Sequence, residues 1–236
     1  YPGTYHENIN FNGKAITVES LFASTGDEAY VDETIINGGG NGNVVRINSG
    51  EDQETELTGF TITNGSSPGS GGGILVYGTS PIISYCKVVN NVSVGYGGGI
   101  ACLQNSSPVL QHLEVLNNTS NEGGGIDVYL SNPVLEYILV SNNTAISTGG
   151  GVAVSDCPEL IIDHLTITEN IAQWGGGLFL TSSQFTIQNS ILWDNSPQEI
   201  YFNGYYDPNQ VDLAYSDIDG GTNGIIVQNG ILNMGE

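Results

Sequence analysis

Apolar and polar residues alternate in short segments of the chain, and the segments recur at a fixed interval. After each of five glycine triplets the first and third positions are apolar, from Ile74 and Val76 in the first case to Leu178 and Leu180 in the last. The position between them varies in character. A period of two is typical of a strand with one buried face, so each triplet predicts a short strand directly behind it.

Further apolar columns follow in every repeat and predict two more short strands. Aligned on the glycines, the first column is Ile83, Leu110, Leu135, Ile162 and Ile187, and the last is Val88, Val115, Val140, Ile167 and Leu192. A third inward column lies between them, offset by a two-residue corner, and contains Cys86, Leu113, Ile138, Leu165 and Ser190. Each repeat therefore contains three short strands and three turns.

The repeat length is constant. The triplets begin at Gly71, Gly97, Gly123, Gly149 and Gly175, so each starts 26 residues after the one before. This is too short for a propeller blade, which needs about 40 residues, and the helical pattern of other solenoids is missing. A coil that closes once per repeat and stacks on its neighbours fits instead, and we predict an all-β parallel solenoid with three strands per coil.

We expect one domain over residues 1–236, because repeat architectures grow by stacking. Residues 1–70 form irregular N-terminal coils with an acidic loop, 71–196 form the regular repeats, and 197–236 form C-terminal coils with a tyrosine-rich loop.

Two further columns have a structural explanation. Glycines at one corner allow positive φ and close packing between coils. The third glycines of the triplets are Gly73, Gly99, Gly125, Gly151 and Gly177. At another corner, stacked asparagine side chains can hydrogen-bond along the axis. These asparagines are Asn91, Asn118, Asn143, Asn170 and Asn195.

The repeats resemble those of a known group of proteins. Segments such as "VLNNTSNEGGGI" and "VSNNTAISTGGGV" are similar to the repeats of polymorphic outer membrane proteins, which pair a Gly-Gly-aliphatic motif with an Asn-containing one. More broadly, the chain resembles the right-handed, single-stranded parallel β-helices of the pectin-lyase-like superfamily. The resemblance is strong from Gly71 to about Asn195 and implies a secreted or cell-surface bacterial protein. It indicates the fold more specifically than the function.

Charge and cysteine content narrow the possible partners. Three Lys or Arg residues against 25 Asp or Glu give a net charge of -22, which repels nucleic acids and anionic membranes. No apolar run approaches the roughly 18 residues of a membrane span, so we expect no membrane insertion by this segment. The cysteines Cys86, Cys102 and Cys157 form an odd set without CxxC spacing. We expect them to be buried free thiols.

The resemblance raises the question of enzymatic activity, since related lyases use an Arg or Lys base with a calcium-binding acidic cluster. The basic residues are Lys14, Arg46 and Lys87, and none lies in a matching motif. Lys87 is one coil from Glu114 in the same outward column, which predicts a cross-strand ion pair. These features favour a non-catalytic chain.

Paired carboxylates keep hydrolysis open as an alternative. Glu136 and Asp163 occupy the same outward position in adjacent coils, about 5 Å apart, and His164 follows Asp163. Such a pair can repel, share a cation such as calcium, or act as in a retaining glycosidase. Glu136, Asp163 and His164 are therefore weak catalytic candidates.

Aromatic side chains supply the candidates for ligand binding. Tyr85, His112, Tyr137 and His164 form one column, which structural stacking, glycan contact or metal binding would each explain. A late insertion contains Tyr205 and Tyr206, either as a packed brace or as a contact site.

An acidic insertion is the other candidate metal site. Glu51, Asp52, Glu54 and Glu56 fall in an early loop, which is either simply solvated or binds calcium. We expect no other cofactor.

Three functions follow as hypotheses. The first is a non-catalytic rigid module of a secreted or cell-surface bacterial protein, which serves adhesion or display and contacts glycans or surface proteins of a host or neighbouring cell. The second is a polysaccharide-binding or polysaccharide-degrading β-helix. The third is an extracellular fibre that assembles end to end, because terminal coils have unpaired strand edges.

Overall fold

The chain forms a parallel β-solenoid of about seven turns, roughly 26 residues apart, in a computed structural model that describes residues 1–204 and 208–235. Strands account for 51% of the residues and helices for 6%, which confirms the all-β class. Within the described part of the chain, the helices are too short to span a bilayer.

The N-terminal part contains β1 (Gly3–His6), β2 (Ile9–Asn10), β3 (Thr17–Glu19), α1 (Phe22–Thr25), α2 (Ala29–Glu33), β4 (Thr34–Asn37), β5 (Val45–Ile47), β6 (Glu56–Thr58), β7 (Thr61–Thr63) and β8 (Ser66–Ser67). The regular repeats contain β9 (Ile74–Tyr77), β10 (Ile82–Ser84), β11 (Lys87–Val89), β12 (Val92–Ser93), β13 (Ile100–Leu103), β14 (Val109–Leu116), β15 (Thr119–Glu122), β16 (Ile126–Tyr129), β17 (Val134–Ser141), β18 (Thr144–Thr148), β19 (Val152–Ser155), β20 (Leu160–Thr168), β21 (Leu178–Thr181), β22 (Gln184–Gln188) and β23 (Ile191–Trp193). The C-terminal part contains β24 (Ile200–Phe202), β25 (Asn209–Ala214), β26 (Asp217–Ile218), a 3-10 helix at Gly221–Gly224, β27 (Ile225–Val227) and β28 (Gly230–Met234).

The described strands stack into three parallel sheets. A nine-stranded sheet has the order β2-β5-β9-β13-β16-β19-β21-β24-β27. A fifteen-stranded sheet follows the path β1-β4-β7-β11-β14-β17-β20-β22-β25-β28, with β3, β6, β10, β23 and β26 beside it. A four-stranded sheet has the order β18-β15-β12-β8. The core lies between the sheets and is one continuous column of buried side chains, most of them aliphatic.

The structure differs from the prediction of three separate short strands in each coil. The second and third predicted segments of each coil lie in the same sheet and, in the middle repeats, join into the long strands β14, β17 and β20. Each long strand bends at a residue with positive φ, namely His112 (52°), Tyr137 (55°) and His164 (54°). The four-stranded sheet was not predicted, because its short strands are rich in Ser and Thr and have little apolar periodicity.

Two short helices also interrupt the predicted succession of strands and turns. They occupy an insertion before β4, and α1 ends at Gly26 in the left-handed conformation. Helix α2 packs Val31 into the protein and carries Asp32, whose carboxylate lies 2.7 Å from Lys87 Nζ. Glu114 is 3.7 Å from the same ammonium, which confirms the cross-strand pair.

A ladder of buried asparagines connects successive coils. Asn91, Asn118, Asn143 and Asn170 are 0% exposed, and Asn195 is nearly buried. The backbone N–H of each of the first four donates to the side-chain oxygen of the next at 2.9–3.0 Å, and the side-chain amide donates to the same atom. The ladder ends where Asn195 donates to the Glu199 carboxyl.

The three cysteines are free and buried, as the sequence indicates. Burial raises the pKa of the Cys86 thiol to about 12 and that of Cys157 to about 11, and it also raises the pKa of Cys102. Because the thiolate is the reactive form, we expect negligible alkylation of the native protein by iodoacetamide at mildly alkaline pH. Mass spectrometry after denaturation should find three modified thiols. Rapid modification of the folded chain would contradict the burial of these side chains.

Candidate functional site

A tight corner precedes the strands of the nine-stranded sheet in the regular repeats. The first glycine of the third triplet, Gly123, has a φ of +61°, a conformation that favours glycine. A Cβ atom there would lie 2.5 Å from the carbonyl oxygen of Ile126 and 2.7 Å from Cβ of Asp127. The chain thus folds back closely on itself. As a result, Glu122, just before the triplet, shares one surface recess with Asp127.

Asp127 lies on the outer face of the nine-stranded sheet, in β16. Its neighbours Ile126 and Val128 point into the core, so alternation directs the aspartate outward. The strand register places Ala101 on one side and Ala153 on the other. Despite its outward direction, Asp127 is only 4% exposed. Its register neighbours Ala101 and Ala153 are buried as well, so this part of the outer face is shielded from water.

A cleft of about 510 Å³ adjoins this carboxyl group. Residues from five consecutive coils line it, and they are Tyr96, Glu122, Asp127, Tyr129, Thr148, Ser155, Asp156, Phe179, Thr181 and Asn203. The ring of Phe179 forms part of the cleft wall and stacks on the ring of Tyr201, with the two centroids 5.8 Å apart. The cleft combines carboxyl groups, hydroxyls and aromatic rings.

Unpaired polar atoms are concentrated at this cleft. In the part of the chain that the structure describes, four buried side-chain oxygen atoms lack a hydrogen-bond partner. Three of them belong to cleft residues and are Oδ1 of Asp127, Oγ1 of Thr148 and Oγ1 of Thr181. Leaving a buried polar atom unpaired costs about 1–3 kcal/mol. Such groups are uncommon in proteins and point to a missing partner.

Burial also alters the acidity of the cleft. It raises the pKa of Asp127 well above its ordinary value, and the nearby charge of Glu122 raises it further. Burial likewise raises the pKa of Glu122, and the Thr148 side chain partly offsets this without forming a well-directed hydrogen bond. The charge of Glu122, followed by burial, raises the pKa of Tyr96. Both carboxyl groups thus keep their protons to higher pH than exposed ones.

Asp127→Asn is expected to stabilise the protein increasingly as pH rises. Because the folded-state pKa is raised, the stabilisation from the protonated carboxyl is fully present below the unfolded-state pKa, about pH 4. It is lost as pH rises through the folded-state pKa. Asparagine cannot ionise, so the variant avoids this loss. Urea unfolding at several pH values measures the difference.

Asp163→Asn is the matched control for this experiment, because the pKa of Asp163 is lowered and the sign reverses. Its carboxylate stabilises the fold above the unfolded-state pKa, and this contribution disappears as pH falls. A pH-independent difference for Asp127→Asn would contradict the buried, proton-holding carboxyl.

The predicted aromatic column is formed, as a stack. Ring centroids are 4.5 Å apart for Tyr85 and His112, 4.9 Å for His112 and Tyr137, and 4.5 Å for Tyr137 and His164. Phe22 of α1 covers the first ring at 4.8 Å. Within the stack, neighbouring rings cover each other's faces, although Tyr85 and Tyr137 remain 38% and 49% exposed. A sugar would need those faces for stacking, so the geometry favours a structural role for this column.

The weak catalytic candidates also lie together. Glu136 and Asp163 are register neighbours in β17 and β20, and Nδ1 of His164 lies 2.8 Å from Oδ1 of Asp163. Asn189 donates to the same oxygen at 2.9 Å. Burial acts to raise the pKa of Asp163, but these hydrogen bonds and the His164 charge outweigh it and lower the pKa. Asp163 is therefore held ionised, which does not suit a general acid.

Two side chains of the acidic loop, those of Glu51 and Asp52, accept hydrogen bonds from nearby backbone. Glu51 is buried and accepts hydrogen bonds from the backbone N–H groups of Gly13 (2.8 Å) and Ser49 (2.6 Å). Asp52 accepts one from the N–H of Glu54 at 2.9 Å. Within residues 1–204 and 208–235, no three His, Cys, Asp or Glu side chains form a group that could hold a metal ion.

The sequence-predicted tyrosine contacts Tyr205 and Tyr206 lie outside the described residues. The cleft residues Glu122 and Asp127 were not among the candidates. One signal was present, because Asp127 is the single acid in an outward column of Leu75, Ala101, Ala153 and Phe179. A lone carboxyl among apolar neighbours indicates burial, and burial perturbs acidity.

Comparison of the chain with protein-family models, curated proteins and solved structures finds no match.

Proposed function

We propose that the chain is a rigid, non-catalytic binding module of a secreted or cell-surface bacterial protein and serves adhesion or display. The observation that carries this proposal is the unbroken stacking of coils, with a buried amide ladder from Asn91 to Asn195. Ladder hydrogen bonds and three parallel sheets fix each coil on the next. A cleft built on such a support keeps its geometry when the module is pulled or displaced.

The repeat motifs support the same assignment. Their resemblance to polymorphic outer membrane proteins, and to right-handed β-helices of the pectin-lyase-like superfamily, favours a bacterial surface or secreted protein. The thiols fit an oxidising exterior, because buried cysteines with a raised pKa are poor substrates for oxidation. The net charge of -22 favours solubility outside the cell.

A display experiment tests this proposal. The chain is anchored on a non-adherent bacterium, and attached cells are counted on surfaces coated with glycans or with cell-surface proteins. We expect attachment to at least one coating, and its loss in Tyr96→Ala at the cleft. Tyr77→Ala is the matched control, because Tyr77 is 48% exposed and Tyr96 is 44% exposed, and Tyr77 lies outside the cleft lining. Absence of attachment to every coating would overturn the proposal.

A second candidate function is polysaccharide binding or degradation, and the cleft favours it. A buried carboxyl with a raised pKa beside a second carboxyl is the arrangement that a glycosidase uses for its general acid. Release of reducing ends from a polysaccharide panel, abolished in Asp127→Asn, would support hydrolysis. Lack of turnover of every substrate would leave the non-catalytic module.

A further inference from the structure

We propose that the cleft on the nine-stranded sheet binds an arginine side chain of a partner protein, with the guanidinium group placed against Asp127. This inference rests on the proposed function and deepens it, since it names the kind of partner that the module holds.

The unpaired atoms favour a ligand rich in hydrogen-bond donors. The three unsatisfied cleft atoms belong to Asp127, Thr148 and Thr181, and all three are oxygens that can accept. An ionised carboxylate accepts only, whereas a guanidinium group has five N–H donors and no acceptor. A planar fork of donors matches a carboxylate in two places at once. A guanidinium group against Asp127 would therefore give its unpaired carboxyl oxygen the donors that it lacks in the protein.

The walls of the cleft suit a guanidinium group in particular. Tyr96, Tyr129 and Phe179 line the same cavity as Asp127, and the two tyrosines are exposed. Arginine is more weakly hydrated than lysine and stacks on aromatic rings. The cleft volume of about 510 Å³ exceeds one side chain, so the adjoining peptide backbone also has room.

The chain does not supply this group itself. Its single arginine, Arg46, donates two hydrogen bonds to Oδ1 of Asn43, at 3.2 Å and 2.8 Å. The net charge of -22 attracts basic partners and accelerates their encounter with the cleft. The ligand therefore comes from another molecule of opposite charge.

Binding is coupled to release of a proton. The Asp127 carboxyl is buried and its pKa is raised well above the ordinary value, whereas a guanidinium group favours the ionised form. Formation of the ion pair therefore lowers this pKa, and any proton that the carboxyl still holds passes to the buffer. The titratable groups around Asp127 are Glu122, Tyr96, Tyr129 and Asp156 at the cleft, and the Cys102 and Cys157 thiols on the core side. The thiols stay neutral, and Glu122 is the group that competes for the released proton.

Titration with a matched pair of small probes tests this inference. The probes are N-acetyl-arginine N-methylamide and its citrulline counterpart, which has the same shape but no charge. We expect millimolar binding of the arginine probe, detected by NMR shifts of the β16 amides, and at least about tenfold weaker binding of the citrulline probe. Calorimetry in buffers of different ionisation enthalpy should detect proton release with the arginine probe alone.

Three variants locate the interaction. Asp127→Asn should weaken arginine binding at least about tenfold, because it removes the negative charge and one acceptor, and Thr181→Val about threefold, because it removes a hydroxyl group from the lining of the same cleft. Asp163→Asn removes an equal charge from another face and should leave binding unchanged. Equal affinity for the two probes, absence of binding at high probe concentration, or no effect of Asp127→Asn and Thr181→Val would overturn the inference. If cells displaying the chain still attach while the arginine probe fails, the module function stands and only this assignment falls.

Discussion

Replacing Asn143 by alanine is expected to lower the free energy of unfolding by about 4 kcal/mol, because several buried groups lose their partners together. Its side-chain oxygen accepts from the backbone and side-chain amides of Asn118, and its own amide donates to the carbonyl of Val115 and to Asn170. Alanine satisfies none of these. The midpoint and slope of urea unfolding measure the loss.

The exposed neighbour Thr144 provides the control for this substitution. Thr144→Ala changes the adjacent residue, the first of β18, without entering the ladder, and its effect should stay within about 0.5 kcal/mol. A loss below about 1 kcal/mol in Asn143→Ala would mean that water reaches the ladder and replaces the amide.

Gly125→Ala should destabilise the protein by about 3 kcal/mol or more, because the coils leave no room for a methyl group. A Cβ atom at this position would lie 2.7 Å from the carbonyl oxygen of Gly151 in the next coil. It would also lie 2.9 Å from Cγ1 of Val140 and 3.0 Å from Nδ2 of Asn143. One added carbon thus presses on the backbone, the core and the asparagine ladder together. Thermal unfolding and soluble yield measure the effect.

Gly69→Ala separates crowding from the general effect of removing a glycine. The nearest atom to a Cβ at Gly69 would be Oγ of Ser67, 4.0 Å away. Neither Gly69 nor Gly125 has a positive φ, so the two differ mainly in the space around them. Removing a glycine here should be neutral or slightly stabilising through the unfolded chain. Similar effects of the two substitutions would contradict close packing as the reason for the triplet.

Periodicity was sufficient to predict the solenoid. The columns at Ile74, Ile83 and Val88 fix which residues face the core, and the constant spacing fixes which residues stack. Whether a side chain faces the core, and which side chains it stacks on, can therefore be predicted for every repeat from the pattern of one coil. The insertion that forms α1 and α2 interrupts the repeat, and its position was not predictable from the pattern.

The cleft could not be predicted from the periodicity of the sequence, and the reason is physical. It depends on a backbone reversal at Gly123 that brings Glu122 towards a residue five positions later. It also depends on the difference between Asp127 and its neighbours Ala101 and Ala153, which a search for repeated features treats as noise. Binding sites in repeat proteins arise where one coil departs from the others. Asp163, which does follow a repeated column, has a lowered pKa and is paired with His164.

The hydrogen bonds of the asparagine ladder give the solenoid an electrostatic polarity along its axis. From Gly65 to Asn195, the backbone N–H groups that donate to the ladder all point towards the C-terminal coils, so their dipoles add and the positive end of this backbone series meets Glu199. Hydrogen bonds in such a series polarise one another, and the positive end favours the ionised form of the Glu199 carboxyl against burial, which raises its pKa. The two ends of the repeat array are therefore not equivalent: a new coil inserted before Asn91 extends the series, whereas one added after Asn195 must displace the residue that terminates it.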